Sequence, residues 1–332
     1  MKPDISVIIP NYNCRDTLFS CLISIVSSRG VHFEVIVVDD GSDDDSLLVV
    51  KQFPCAVIRQ SHQGASAARN AGARASRGKI LFFTDADCVL AEDTLARALS
   101  SINEYDDQTI IGGSYDAKSY DHSFYSRFQA AFIHYSETKH TNNPDYIATH
   151  AMVINREVFL ANGGFKEQWL PIIEDVEFSH RLRREGYSLV MDPDLLVQHI
   201  FNFSLFKSVR NAVRKASYWT LYSMGNKDLL KDSGTASHEL KFNVAFFYLM
   251  LMFLSLTVLT HNPIFLIPAL LSISFNLCCN QRLLQHFNHH YSHGFQFGAS
   301  LYYLFVYPVP VSLGGLIGVS KFMCLSLVRR TR

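Results

Sequence analysis

The chain has 332 residues, which is enough for one large domain or two domains of ordinary size. Lysine plus arginine equals aspartate plus glutamate, 30 against 30, so the overall charge gives no argument for binding nucleic acid. The seven cysteines form no Cys-x-x-Cys pair and lie mostly in apolar segments, which favours reduced thiols over a disulfide framework.

The first part of the chain alternates between strand-like and helix-like segments. Residues 5–9, 34–38, 56–58 and 80–83 are short apolar runs of strand character, and residues 64–76 form one of the helical segments between them. This alternation predicts an α/β domain with a mostly parallel sheet and right-handed crossovers.

Two of these strands end in carboxylates. Asp39 and Asp40 follow the second strand, and Asp85 and Asp87 follow the fourth. In an extended backbone residues i and i+2 point the same way, so Asp85 and Asp87 are expected to converge beyond the strand's carboxyl end. Paired carboxylates suit a divalent cation such as Mg²⁺ or Mn²⁺, which in turn holds a phosphate. The alternative is a polar turn after a core strand.

Further along, residues 109–113 and 150–154 are predicted strands. A glycine turn at 162–165 precedes a helix that opens at residue 174 and ends at Gly186, and a strand over 195–199 ends in His199. Residues 115–135 are rich in aromatic side chains. These side chains fit an acceptor cleft, the packing of a core or a membrane-facing surface equally well.

Six segments together resemble the ordered motif set of the family 2 glycosyltransferases, which have the GT-A fold. They are residues 7–13 (VIIPNYN), 37–42 (VVDDGS), 68–72 (ARNAG), 84–87 (TDAD), 163–165 (GGF) and 174–175 (ED). The resemblance covers roughly residues 4–200. The Gln-x-x-Arg-Trp motif of processive members does not occur, which favours transfer of a single sugar over polymerisation.

The resemblance implies a site for a nucleoside diphosphate sugar formed by Pro10, Asn11, Tyr12, Asp39, Asp40, Arg69 and Asp85. One of Asp39 and Asp40 is implied as the base contact, and Asp40 is preferred. For Asp39, a helix N-cap or turn residue is an equally good alternative. Arg69 either pairs with a phosphate or lies on a solvated helix face.

The resemblance also implies metal contacts from Asp85, Asp87 and His199, although a structural histidine is an alternative for His199. Gly163, Gly164, Phe165 and Glu174 are implied on the acceptor side, with Asp175 as the catalytic base. Acidic residues at a helix N-terminus are also favoured by the helix dipole, so simple helix capping is the alternative for Glu174 and Asp175.

The predicted domains are a GT-A domain over residues 1–203, a basic amphipathic interface helix with a linker over 204–241, and a membrane domain over 242–332. An ordinary surface helix is the alternative for 204–225. No signal peptide precedes the first strand, so the catalytic domain is expected on the cytosolic side.

The predicted spans are 242–260, 263–279 and a kinked or re-entrant segment over 295–327 that breaks at Pro308-Val309-Pro310. The basic end, residues 329–332, predicts a cytosolic terminus. Four histidines at 286, 289, 290 and 293 fit no usual metal-site spacing and are expected in a polar cytosolic loop.

The resulting hypothesis is a multi-pass, cell-membrane, inverting glycosyltransferase that uses a divalent cation. It transfers a sugar from a nucleoside diphosphate sugar to a lipid-linked acceptor, with no role for nucleic acid. Two alternatives stay open: a haloacid dehalogenase-type phosphatase with Asp85 as nucleophile, and a non-catalytic, membrane-tethered nucleotide-binding subunit.

Overall fold

The computed structural model describes residues 2–167 and 170–330, which divide into two compact units. The first unit comprises Met1–His122 and Glu137–Asn202, and the second comprises Ser123–Ser136 and Phe203–Arg332. Residues 123–136 thus belong with the C-terminal helices, whereas the sequence placed them in the first domain.

The first unit is built on one eight-stranded sheet among the residues described. Its strands are β1 (Ile5–Asn11), β2 (Phe33–Asp39), β3 (Ala56–Arg59), β4 (Ile80–Phe83), β5 (Cys88–Leu90), β6 (Thr109–Tyr115), β7 (Met152–Asn155) and β8 (Ser188–His199). They are ordered β3-β2-β1-β4-β7-β6-β8-β5. The pairs from β3 to β4 and the pair β6–β8 are parallel, while β7 and β5 run antiparallel to their neighbours. The predicted α/β fold is confirmed.

The helices of this unit are α1 (Arg15–Val26), α2 (Ser46–Val50), α3 (Ala65–Ala75), α4 (Thr94–Asn103), α6 (Arg156–Ala161) and α7 (Glu174–Arg184). The strands β1 and β4 are buried on both faces, so their apolar runs are nearly continuous, as expected for the middle of a parallel sheet. Phe83 packs with Phe159 and Phe165 in the core that supports the carboxyl ends of these strands.

The second unit is helical. Its helices are α5 (Phe124–Thr138), α8 (Leu205–Asn226), α9 (His238–Thr260), α10 (Leu266–His290), α11 (His293–Leu301) and α12 (Pro308–Arg330). In the part of the chain that the structure describes, three helical segments are long and apolar enough to cross a membrane: His238–Thr260, Pro263–His290 and His293–Ser326. Thr331 and Arg332, part of the predicted basic end, lie outside the described residues.

Two expectations for the spans need correction. Helix α10 runs to His290, so His286, His289 and His290 lie on a helix and not in a loop. The third segment does not break at Pro308-Val309-Pro310; a π-helical turn over Tyr302–Val306 leads directly into α12. Proline has no N–H to donate to the preceding turn, which accounts for the altered hydrogen bonding just before it.

The aromatic residues of α5 pack inside the second unit. Phe128 and Phe132 are buried, and both rings contact that of Tyr307 at centroid distances of 5.3 and 5.6 Å. Phe128 also contacts Phe287 on α10. For these two residues the structure supports core packing over an acceptor cleft.

Helices α8 and α12 approach each other closely through glycines. A Cβ on Gly314 would lie 2.8 Å from Cβ of Ala216, and one on Gly318 would lie 2.7 Å from Cβ of Thr220. Small residues at such a contact let two helix backbones pack tightly, as is common between helices in membranes. A position of α8 at the membrane interface stays a prediction.

Candidate active site

The two carboxylates after β4 come together in a turn. The N–H of Cys88 donates to the carbonyl oxygen of Asp85 at 3.1 Å, so residues 85–88 are not extended as the sequence argument assumed. The turn nevertheless brings one ligand atom each of Asp85, Asp87 and Cys88 within 4.8 Å of one another. The expected convergence of Asp85 and Asp87 is present, but its structural cause is different.

The second carboxylate of this turn is that of Asp87. Its Oδ1 is buried, and no hydrogen-bond partner for it exists among the described residues. Burial, and then the charge of Asp85, raises the pKa of Asp87 to about 7. An ionised carboxylate in such a place needs a positive partner, because burying an unpaired charge is unfavourable.

His199, at the end of β8, lies beside this carboxylate. Its Nε2 is 3.3 Å from Oδ2 of Asp87, and its ring stacks on Phe201 with centroids 4.0 Å apart. The register pairs His199 with Cys88 across the β5–β8 ladder, which places the imidazole at the Asp85–Asp87 turn. A metal contact from His199 therefore stays a prediction that this geometry permits.

This group of residues fits a divalent cation. The Asp87 oxygen without a partner and the neighbouring Asp85 carboxylate are hard oxygen ligands of the kind Mg²⁺ and Mn²⁺ take. Cys88 is a poor candidate, because burial raises the pKa of its thiol well above the usual value and the thiolate is the form that binds metals.

Arg69 on α3 joins Asp85 to Glu174. Its Nη2 donates to Oδ1 of Asp85 and its Nη1 to Oε1 of Glu174, each at 2.6 Å. Only 5% of the arginine side chain is exposed, so the solvated-face alternative is wrong. Burial acts to raise the pKa of Asp85, but the charge and the hydrogen bond of Arg69, together with the nearby His150 and His199, lower it overall. A phosphate contact from Arg69 stays a prediction.

Asp175 lies in the first turn of α7, next to Glu174. Burial, and then the charge of Glu174, raises the pKa of Asp175 to about 7, although its Oδ1 accepts a hydrogen bond from the N–H of Val176. The helix N-cap is Ile173, whose φ of +80° is rare for a β-branched residue. The position of Asp175 in the first helical turn also fits a helix-stabilising role, so its role as the base stays a prediction. Strained backbone such as that of Ile173 is often found at functional sites.

The glycine loop is tied to two helices. Asn70 on α3 accepts from the N–H of Phe165 and donates to its carbonyl oxygen, and Arg181 on α7 donates to the carbonyl oxygen of Gly164. Gly163 and Gly164 have φ of +72° and +64°, which explains why glycine occupies both positions. Phe165 is 2% exposed and packs in the core, so an acceptor-side role for its side chain is not supported.

On the donor side, Tyr12 is 45% exposed and its ring lies 4.1 Å from that of His62. This pair offers an aromatic surface next to Pro10 and the end of β1. Asn11 is buried and donates to Oδ1 of Asp39 at 3.0 Å, which fixes the relative positions of the β1 and β2 ends. Oδ2 of Asp39 accepts from the N–H of Ser42, as expected for a turn residue.

The preferred base contact, Asp40, uses its carboxylate to hold the loop before α3. It accepts hydrogen bonds from the N–H groups of Gln63 and Gly64 at 2.9 and 2.8 Å and from the side chain of Gln60 at 2.7 Å. The Asp40 carboxylate therefore already accepts three hydrogen bonds within the protein. A contact from Asp40 to the nucleotide base stays a prediction.

Three residues of the site were not identified from the sequence. His62 carries the ring next to Tyr12, while Glu137 and His150 form a buried pair with 3.2 Å between Oε2 and Nε2. His150 also stacks on Tyr115, with centroids 3.8 Å apart. No spacing rule connects residues this far apart in the chain. The only weak signal in the sequence was Glu137, a glutamate that follows a run of aromatic residues.

Known proteins that are similar in sequence to this chain include glycosyltransferases. Residues 6–162 match the family described as Glycosyl transferase family 2. Glycosyltransferase AglE of Haloferax volcanii is 28% identical over 205 residues, which cover 59% of this chain and 67% of AglE. Glycosyltransferase GlyA of Streptococcus pneumoniae is 33% identical over 126 residues, 36% of this chain but only 18% of GlyA.

Among solved structures, the mannosyltransferase PcManGT from Pyrobaculum calidifontis, in complex with GDP-Man and Mn²⁺, superposes with a TM-score of 0.58 at 17% identity. The match covers 97% of this chain and 88% of PcManGT. At this identity the similarity concerns the fold. The first unit therefore has the GT-A fold, and residues 6–162 are similar in sequence to the family 2 glycosyltransferases.

Proposed function

We propose that this protein is an inverting, non-processive glycosyltransferase that moves one sugar from a nucleoside diphosphate sugar to a lipid-linked acceptor at the cytosolic face of a membrane. One observation carries the proposal. Arg69 contacts both Asp85 and Glu174 at 2.6 Å, so that the donor-side turn and the start of α7, where Asp175 lies, belong to one site.

The donor site would be formed at the carboxyl ends of β1, β2 and β4. The exposed Tyr12 ring, stacked near His62, would contact the base, and Asp85, Asp87 and His199 would hold a divalent cation. When bound, such a cation neutralises the charge that develops on a departing diphosphate. The PcManGT complex with GDP-Man and Mn²⁺ supports this class of donor and cation.

Asp175 would act as the general base. Its carboxylate takes the proton from the acceptor hydroxyl, whose oxygen forms a bond to the anomeric carbon while the bond from that carbon to the diphosphate oxygen breaks. Because the two bonds lie on opposite sides of the carbon, the configuration inverts. A pKa of about 7 suits a base that must be ionised at neutral pH and still bind a proton during the reaction.

The second unit supports a lipid-linked acceptor. Three of its described helical segments are long and apolar enough to span a membrane, which supports a membrane protein. Confining enzyme and acceptor to the same thin layer raises their effective concentration. Lysines before the first span and Arg282 on α10 favour a cytosolic catalytic unit.

The phosphatase hypothesis loses support. The matched family and the relatives are glycosyltransferases, and neither comparison points to a phosphatase. The transfer assay described next distinguishes the proposed enzyme from a non-catalytic nucleotide-binding subunit.

The test uses the full-length protein in phospholipid nanodiscs with Mn²⁺, a panel of UDP-, GDP- and dTDP-sugars, and a membrane lipid extract. Truncation before α9 is unsuitable, because it removes Phe287 and Tyr307, against which α5 packs. We expect radiolabelled sugar to enter the lipid fraction with the wild type and not with Asp87→Asn. Donor binding without transfer or hydrolysis would instead indicate a binding subunit, and equal transfer to soluble sugars would contradict a lipid-linked acceptor.

A further inference from the structure

Three histidines converge within the second unit. His134 lies on α5, whereas His286 and His290 lie on α10. One ring nitrogen from each can be chosen so that all three lie within 4.8 Å of one another. The ring centroid of His134 is 5.2 Å from that of His286 and 5.5 Å from that of His290.

The placement of these residues favours shared ligation. His286 and His290 are four residues apart on one helix, so both imidazoles lie on the same face, with ring centroids 4.5 Å apart. A second helix supplies His134 to that face. Three imidazoles from two packed helices form the kind of inward-facing donor set from which helical proteins build metal sites.

The surroundings give an independent indication. The Nε2 atom of His286 is buried, and within the described part of the chain it has no hydrogen-bond partner. A buried ring nitrogen in native proteins normally has a partner, because an unsatisfied polar atom is unfavourable away from water.

We propose that His134, His286 and His290 form a binding site for a divalent transition metal of the Zn²⁺ class, which fixes α5 on α10. Imidazole nitrogens prefer such ions, whereas Mg²⁺ and Mn²⁺ prefer the oxygen ligands of Asp85 and Asp87. Nitrogens bound to one tetrahedral Zn²⁺ lie about 3.3 Å apart, so the three imidazoles would need to close from separations of up to 4.8 Å. Water would complete the coordination.

This site could not be identified from the sequence, because His134 is far from His286 and His290 in the chain. The cluster 286, 289, 290 and 293 fits no usual spacing, and the structure explains why. His289 is exposed on α10 and lies outside the group of three, and His293 begins the next helix. His289 therefore serves as a matched control on the same helix.

The test uses full-length protein in detergent, without a polyhistidine tag, in an Asp87→Asn background with excess Mg²⁺ so that the active site does not compete. Zn²⁺ is titrated by calorimetry, and thermal unfolding is followed with and without the ion. We expect one Zn²⁺ per chain and a Tm higher by several degrees with the ion, since ligands of the native state stabilise it. His134→Gln and His286→Gln should each weaken Zn²⁺ binding by about 100-fold or more, while His289→Gln should bind like the parent.

The proposal is overturned if the parent binds no Zn²⁺ in the micromolar range, or if His134→Gln binds it as tightly as His289→Gln. If the histidine variants do not fold, Co²⁺ replaces Zn²⁺ in the parent protein. Intense tetrahedral absorption bands at one Co²⁺ per chain support the site, and a purely octahedral spectrum contradicts it.

Discussion

Arg69 donates a 2.6 Å hydrogen bond to Asp85, and the same guanidinium bonds Glu174 at the start of α7. The arginine is almost fully buried, so it compensates two carboxylates in a region from which water is largely excluded. This contact links the end of β4 to the helix that carries the candidate base. Its removal should therefore affect both the stability of the fold and the geometry of the site.

Arg69→Met should lower the free energy of unfolding by about 3 kcal/mol, because it leaves two partly buried carboxylates without their partner. It should also reduce transfer to background. Thermal unfolding and the transfer assay measure the two effects separately. Arg69→Met/Glu174→Gln should regain part of the stability but not the activity; recovery of activity in the double variant would show that the bridge has no part in catalysis.

Asp87→Asn tests the cation site. The substitution keeps the size of the side chain and removes the charge, so Mn²⁺-dependent binding of the donor should weaken by about 100-fold while the fold is kept. Calorimetry with and without Mn²⁺ measures the change. Asp93→Asn, at an exposed position before α4, is the control and should bind like the wild type. Unchanged Mn²⁺ dependence in Asp87→Asn would remove this residue from the metal site.

The pKa of Asp175 predicts a pH dependence. A general base acts only when it is deprotonated, so kcat should rise about tenfold per pH unit below about 7 and level off above it. The rise reflects ionisation of the native protein and not unfolding, which circular dichroism at each pH verifies. A kcat that stays constant between about pH 5.5 and 8.5 would be incompatible with this assignment.

The contact of α8 with α12 is tested by adding single methyl groups. Gly314→Ala should lower the free energy of unfolding by about 1–3 kcal/mol, because the new Cβ would lie 2.8 Å from Cβ of Ala216 and still closer to the carbonyl oxygen of Val213. Gly315→Ala meets only Thr220 Oγ1 at 3.8 Å and should be neutral or slightly stabilising. Equal Tm values for the two variants in detergent would show that the helices do not pack this tightly.

The architecture was largely predictable because strand–helix alternation and the order of short motifs are local signals. The strands β1 to β4 and the helix after Glu174 lie where the sequence placed them. The three-residue strand β5 was missed because it is too short to show a period of two, and it exists through pairing with the distant β8.

The contacts between distant residues could not be predicted in this way. An arginine on a helix of small residues gives no sign that it is buried between Asp85 and Glu174. The aromatic run of α5 likewise indicates a buried face without revealing what covers it. Asp85 and Asp87 were expected to converge through an extended backbone, whereas the hydrogen bond from Cys88 to Asp85 makes a turn.

The role of Asp175 in removing the proton from the acceptor is tested by comparing Asp175→Asn with the wild type in full-length protein. We expect kcat to fall by about 10³-fold or more while affinity for the donor nucleotide stays within a few fold, because the substitution removes an interaction used only in the transition state. Retained transfer, or a collapse of nucleotide affinity with the fold intact, would contradict it.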